Sequence, residues 1–420
     1  VVQIAPKLKN VEFYVALCDR EHLPKADLPN LIAYEDFIAD ADPAFAWKDF
    51  DENTACGLCY TSGTTGNPKG VLYSHRSNVL HAMMVAQADA HGLSNKDSVL
   101  AVVPMFHANA WALAFEAPMV GAKIVFPGPK FDGASIYELL DTEKVTMTAA
   151  VPTVWLMLLQ YLEENNLKLP NLNSVLIGGS ACPRSMIETF EKKYGVEVIH
   201  AWGMTEMSPL GTLGTMKHDI VDLPYEQKLD YKCKQGHAPF GVEMKIVDAE
   251  DRELPRDGKA FGRLKVRGPA IAKGYMGGDG KDAFDSEGWF DTGDVATLDP
   301  RGYMTITDRA KDVIKSGGEW ISSIEIENLA VGHPAVAEAA VIGVVHPKWD
   351  ERPLLVVVLK EGKTASKDDL LNYLSGKIAK WWMPDDVAFV DELPHTATGK
   401  IQKSALREKF GSYRLPTAAE

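Results

Sequence analysis

The sequence predicts an α/β protein: a large N-terminal domain of mostly parallel sheet flanked by helices, a small β-barrel-like subdomain at its end, and an α+β C-terminal domain. Three changes of pattern carry that expectation. Between residues 54 and 202 strand-sized apolar runs alternate with helix-patterned segments, after Gly236 short strands are broken by tight turns, and near Lys311 helices and strands mix again in a compact unit.

The alternation begins with TACGLCYTS as a strand, a helix from Ser77 to His91, SVLAVVP as a strand, a helix near Trp111 and AKIVF as a strand. It continues with SIYELLDTEK (helix), VTMTAAV (strand), TVWLMLLQYLEEN (helix), SVLIGGS (strand), SMIETFEKKY (helix) and VEVIHAW (strand). Such a rhythm builds a parallel sheet between two helical layers, and ligands gather beyond the carboxyl ends of its strands. The runs GVEMKIVD, GRLKVRG, GWFDTGD and GYMTITD predict antiparallel strands over 236–308. Helix ENLAVGH, strands AEAAVIGVV and LLVVVL and helix SKDDLLNYLSGKIAKWW complete the chain. The expected domains are 1–310 and 311–420, with the boundary between Asp308 and Asp312.

A chain of 420 residues is too long for one ordinary core. Its 44 Lys and Arg against 58 Asp and Glu give a net charge of 44 − 58 = −14, which disfavours nucleic acid and anionic membrane as partners. Any polyanionic ligand must be gripped locally. Apolar runs such as LLVVVL are strand-sized, so no membrane span is expected. The start of the chain has no secretion-signal pattern, and its five cysteines suit a reducing compartment, so a cytoplasmic location is expected. Cys56 and Cys59 form a C-x-x-C, but residues three apart on a strand face opposite ways, and buried packing is the expectation for both.

The segment YTSGTTGNPKG, from Tyr60 to Gly70, concentrates glycines, hydroxyls and one lysine between a strand and a helix. Exposed backbone N–H groups, the hydroxyls of Thr61, Ser62, Thr64 and Thr65, and the Lys69 ammonium suit a phosphate cradle. It is not a Walker A loop, because Lys69 is followed by Gly70 rather than Ser or Thr.

This loop resembles that of the adenylate-forming superfamily, which includes acyl-CoA synthetases, luciferases and the adenylation domains of peptide synthetases. HAWGMTE (His200 to Glu206), WFDTGD (Trp289 to Asp294), TDRAKDVIKSGGEWIS (Thr307 to Ser322) and PHTATGKIQK (Pro394 to Lys403) are similar to later signatures of the same family, in the same order. Only 59 residues precede the loop where the family has a further subdomain, so an N-terminally truncated chain is expected.

The resemblance implies ATP, Mg²⁺ and coenzyme A as cofactors and a carboxylic acid as substrate, with the acid first joined to AMP and then passed to the thiol. It implies that Thr61, Ser62, Gly63, Thr64, Thr65, Gly66 and Lys69 hold the β- and γ-phosphates, and that Glu206, after Thr205, holds Mg²⁺. It further implies that Gly179, Trp202 and Gly203 adjoin the nucleotide, that Asp294 and Arg309 bind its ribose, and that Lys400 touches the carboxylate and α-phosphate. Lys400 lies so far along the chain that the small domain must move to deliver it. Lys311 is then the hinge, and Gly317 and Gly318 face the pantetheine arm after rotation.

For the acyl pocket the resemblance points to His107, Trp111, Gly178, Ser180 and Met204. His107 stands where relatives that activate amino acids carry an Asp, and large aromatics shorten a pocket, so a small or medium acid is expected. The surrounding motifs are similar to those of medium-chain fatty acyl-CoA ligases and 3-methylmercaptopropionyl-CoA ligases, and a thioether suits an aromatic, Met-lined slot. The alternatives are another acceptor on the same frame, or a non-catalytic nucleotide-binding relative, whose mark would be loss of Lys400 or Glu206; both are present. Family habit implies a homodimer.

Overall fold

The computed structural model describes residues 1–61, 68–128, 130–278, 280, 283–317, 319–395 and 401–419. Compactness divides the chain into Val1–Asp51 and Glu52–Glu420. In the first unit β1 (Tyr14–Ala16) pairs in parallel with β2 (Leu31–Ala33), a helix spans Tyr34–Ile38, and Arg20 Nε lies 2.9 Å from Asp36 Oδ2.

The second unit opens with β3 (Ala55–Tyr60) and β4 (Gly70–Ser74), an antiparallel pair separated in sequence by the glycine- and hydroxyl-rich residues 61–69. A helix, His75–Val85, starts directly after β4 because Ser74 and Ser77 form a reciprocal cap, each hydroxyl accepting the other's backbone N–H. It stops before the expected His91, in a turn closed by Gly92 at φ +65°.

Strands β5 (Ser98–Ala101), β6 (Lys123–Val125), β7 (Met147–Ala150), β8 (Ser174–Ile177) and β9 (Glu197–Gly203) are mutually parallel, in the order β9-β8-β7-β5-β6. Every residue of β5 and β7 is buried, as helices on both faces require. Leu100, Val175 and Ile177 enter one core with Trp155, Leu158 and Phe190, whereas Val99, Ala101 and Leu176 enter another with Trp111 and Leu113. This is the two-residue alternation of a pleated strand.

The antiparallel strands expected after Gly236 are present as β11 (Gly236–His237), β12 (Glu243–Val247), β13 (Phe261–Arg267), β14 (Phe290–Leu298) and β15 (Tyr303–Arg309). Rather than standing as a separate sheet, they join the parallel strands through β10 (Leu210–Leu213) in one eleven-stranded sheet, β12-β13-β14-β15-β11-β10-β9-β8-β7-β5-β6. The junction rests on β11, only two residues long, which sequence pattern alone does not reveal. A second sheet is built from β16 (Ile314–Ser316), β17 (Glu319–Ile321), β18 (Val336–His346), β19 (Asp350–Leu359) and β20 (Asp386–Phe389).

Three local expectations need correction. The segment around Trp111 is a left-handed turn before the helix Leu113–Val120. SMIETFEKKY is an α-helix only over Arg184–Glu188 and continues as a wider π-turn over Thr189–Tyr194. Of the C-x-x-C pair only Cys59 is buried, while Cys56 is exposed and its sulfur accepts a hydrogen bond from Asn78 Nδ2 at 3.1 Å.

Candidate active site

The site grows from the carboxyl end of β9. Its last two residues, Trp202 and Gly203, pair with Thr212 and Leu210 of β10. At Gly203 the chains approach so closely that an added Cβ would lie 2.2 Å from the Pro209 carbonyl oxygen, so only glycine fits. The backbone then turns at Met204, whose N–H donates to Pro209 O at 2.9 Å, into the short 3₁₀ turn Thr205–Met207.

Three groups hold that turn. The buried Tyr73 hydroxyl donates to Thr205 O at 2.6 Å, Ala272 N–H donates to Glu206 O at 2.8 Å, and the Tyr275 hydroxyl donates to Glu206 Oε1 at 2.5 Å. Burial, then the Glu206 carboxylate, pushes the Tyr275 phenol above its usual range, so it remains a donor.

The two ends of the glycine- and hydroxyl-rich segment are tied together. Thr61 N–H donates to Lys69 O at 2.9 Å, and Lys69 N–H donates back to Thr61 Oγ1 at 3.0 Å. The Lys69 ammonium lies 5.0 Å from the centre of the Tyr275 ring.

On the side of the antiparallel strands, Asp294 of β14 faces Arg309 of β15 in register. Arg309 Nε lies 2.8 Å from Asp294 Oδ1, and the Trp202 indole N–H donates to Oδ2 at 3.0 Å. On the opposite side, residues 108–112 after His107 have φ of 46, 55, 53, 54 and 70°. Five successive non-glycine residues in this region cost about 1–2 kcal/mol each. The turn lays Trp111 across Gly178 at the end of β8, where an added Cβ would meet its ring at 3.3 Å. It is tied to the strand that leads into the phosphate loop, because the Cys59 thiol donates to Asn109 Oδ1 at 3.6 Å.

These pieces enclose a cavity of about 580 Å³, a size common for small-molecule sites. Thr61 and Lys69 line it with Thr205 and Glu206; His107, Trp111 and Gly178 line another part with Met204; Gly179, Trp202, Gly203, Arg309 and Lys311 complete the expected residues. Burial lowers the Lys311 ammonium below its usual range.

The chain matches the AMP-binding enzyme family over residues 10–276 and the C-terminal domain of AMP-binding enzymes over 325–400. It belongs to the AMP-binding enzyme family.

Similarity to individual family members runs nearly the length of this AMP-binding enzyme. It is 50% identical over 419 residues to a medium-chain-fatty-acid–CoA ligase of Ectopseudomonas oleovorans, covering 100% of this chain and 77% of the relative. It is 52% identical over 410 residues to a 3-methylmercaptopropionyl-CoA ligase of Ruegeria lacuscaerulensis, covering 98% and 76%. Among solved structures, ATP-bound MatB from Rhodopseudomonas palustris superimposes with a TM-score of 0.81 at 28% identity, covering 99% of this chain and 83% of that one. The anthranilate CoA ligase AuaEII with anthranoyl-AMP gives 0.83 at 27% identity, covering 97% and 75%.

The donor set of this AMP-binding enzyme suits a nucleotide with its own metal. Among the described residues no three His, Cys, Asp or Glu side chains gather as a metal cage, but two acidic residues, Glu206 and Asp291, line the cavity with Lys69, and Asp291 is paired with Arg263. Mg²⁺ is commonly held by one or two carboxylates with phosphate oxygens supplying the rest.

Not every expected residue reaches the cavity. Asp294 is 1% exposed and sits behind the wall formed by Thr292, Gly293 and Arg309; Ser180 is exposed outside the lining. Gly317, at φ +59° beside Trp349 and Trp381, is also outside it. Ser62, Gly63, Thr64, Thr65, Gly66, Gly318 and Lys400 lie outside the described residues. Sequence reasoning missed Tyr73 and Tyr275, whose contacts join residues 132 and 69 positions apart. No helix among the described residues is long and apolar enough to cross a membrane.

Proposed function

We propose that the chain is an ATP-dependent acyl-CoA ligase that joins a small or medium-chain carboxylic acid to AMP and then passes the acyl group to coenzyme A. The supporting observation is one cavity whose lining holds Lys69 and Glu206 together with His107, Trp111, Gly178 and Met204.

In the first step a carboxylate oxygen bonds to the α-phosphorus of ATP while the bond from that phosphorus to the bridging oxygen breaks, and pyrophosphate leaves with the electron pair. Lys69 and the loop residues Thr61, Ser62, Gly63, Thr64, Thr65 and Gly66 serve the leaving phosphates. Glu206 would hold Mg²⁺, which when bound neutralises phosphate oxygens, and Thr205 adjoins the nucleotide. Lys400 contributes a cation at the carboxylate and α-phosphate. Gly179, Trp202, Gly203, Asp294 and Arg309 bind the adenosine; for Asp294 this requires its tie to Arg309 to open toward the cavity.

In the second step the thiol sulfur of coenzyme A bonds to the acyl carbon, the bond from that carbon to the AMP phosphate oxygen breaks, AMP leaves with the electron pair and the thiol proton passes to solvent. Residues 311–420 move about Lys311 between the steps and bring Gly317 and Gly318 to the pantetheine arm. A cytoplasmic location and a homodimer belong to the same proposal.

The acid meets His107, Trp111, Gly178 and Met204; for Ser180, which is exposed outside the lining, this requires the turn after Gly178 to move toward the cavity. A short thioether acid suits this recess, since sulfur packs well on ring edges, and two relatives at 52% and 51% identity carry the name 3-methylmercaptopropionyl-CoA ligase. The test is acyl-CoA formation with 3-methylmercaptopropionate, butyrate and octanoate. All-round activity with the thioether acid leading by kcat/KM is expected. A last-placed thioether removes that substrate, and no acid-dependent AMP release removes the ligase.

A further inference from the structure

Lys69 and Glu206 carry opposite charges into one cavity, yet among the described residues neither forms an ion pair. An ammonium and a carboxylate left to themselves in a partly desolvated pocket attract strongly. Tyr275 engages both. Its hydroxyl donates to Glu206 Oε1 at 2.5 Å, and its ring lies 5.0 Å from the Lys69 ammonium. A protonated phenol suits the carboxylate, and the negative face of the ring suits the cation.

The tyrosine is itself fixed. Its backbone bridges Val71, two residues beyond Lys69, and Ala272, three residues before it, donates to the Glu206 carbonyl. Gly280 closes on the ring so tightly that an added Cβ would lie 2.8 Å from it. The segment carrying Tyr275 is therefore strapped both to the strand after the phosphate loop and to the turn that bears Glu206.

We infer that Tyr275 is a positioning residue that keeps Lys69 and Glu206 apart, orienting one Glu206 oxygen for the metal that accompanies ATP and holding the Lys69 ammonium ready for the departing phosphates. This rests on the proposed roles of Lys69 and Glu206. The division of labour is specific: the hydroxyl serves the metal side and the ring serves the phosphate side. A carboxylate released from the phenol loses the orientation the metal needs, while the ring still holds the Lys69 ammonium for the phosphates.

The test measures Mn²⁺ affinity by electron paramagnetic resonance in the presence of α,β-methylene-ATP, which cannot release pyrophosphate, and the affinity of the metal-free analogue by calorimetry. Tyr275→Phe keeps the ring and removes the hydroxyl. It is expected to weaken Mn²⁺ binding about tenfold, as loss of a group supporting a metal ligand does, with metal-free nucleotide affinity within about twofold. Tyr275→Leu, which removes the ring as well, is expected to weaken both. Mn²⁺ affinity in Tyr275→Phe within twofold of the parent, while Glu206→Gln loses it, overturns the role of Tyr275 and leaves the metal role of Glu206 intact. Unchanged Mn²⁺ affinity in Glu206→Gln overturns both.

Discussion

The Trp202 indole N–H donates to Asp294 Oδ2 at 3.0 Å, joining the end of β9 to β14 across the interior of the eleven-stranded sheet. Arg309 holds the other oxygen at 2.8 Å, so the buried carboxylate has a donor on each side. A buried charge that loses such a donor costs more than the bond itself is worth. Trp202→Phe keeps an aromatic ring in the cavity but removes the N–H. Its expected effect is a rise of about tenfold in KM for ATP, in line with about 1.5–3 kcal/mol for a hydrogen bond to a charged group. Steady-state kinetics at saturating acid check this.

Gly203 permits the approach of Pro209 that starts the turn to Thr205 and Glu206. Gly203→Ala places a methyl where a carbonyl oxygen already stands, and the backbone must shift at a cost of about 1–3 kcal/mol. A lowered melting temperature together with at least tenfold loss of acid-dependent AMP formation is expected. A variant as active and stable as the parent would show that the turn tolerates displacement.

Trp111 lies over Gly178, and in the proposed acyl site its ring limits the length of the acid. Trp111→Ala opens room for several methylenes, each worth about 0.8 kcal/mol when buried. The ratio of kcat/KM for octanoate over butyrate should therefore rise by about tenfold or more, even as stability falls. An unchanged ratio places the end of the acyl chain elsewhere.

His81 and His200 are buried, and burial depresses them from the ordinary 6.5 to about 3 and about 4; for His81 the nearby His91 adds to the effect. Their unfolded forms take up protons first as pH falls. The stability they preserve is complete above pH 6.5 and is lost as pH falls from there toward about 4 for His200 and about 3 for His81. Melting temperature should decline between pH 6.5 and 5, above the main carboxylate range. His81 Nε2 accepts from Leu210 N–H at 3.0 Å, and a glutamine oxygen can take its place. His81→Gln should flatten the decline; an equally steep one would assign it to other groups.

Much of the fold is legible because burial on both sheet faces leaves a local trace: β5 and β7 read as continuous apolar runs, and the helices between them show their own period. The Tyr60–Gly70 segment stands out in the sequence because its composition is extreme. The sheet's continuity is not, since β11 is two residues long and its partners lie at Leu213 and Tyr303–Met304. The turn at 108–112 is hidden because Ala-Asn-Ala-Trp-Ala contains no glycine to mark its left-handed backbone. Tyr275 is hidden for a different reason: a lone tyrosine in a glycine-rich stretch has no local signature of a contact with Glu206 or Lys69.

Isotope exchange between pyrophosphate and ATP, run without coenzyme A, tests the proposed adenylation most directly, because only reversible attack of the acid on the α-phosphorus returns labelled pyrophosphate to ATP. The predicted result is exchange that requires both the carboxylic acid and Mg²⁺, disappears in Glu206→Gln, and gives way to acyl-CoA and AMP when coenzyme A is added. Exchange that proceeds without acid, or release of ADP and phosphate in place of AMP and pyrophosphate, would contradict it.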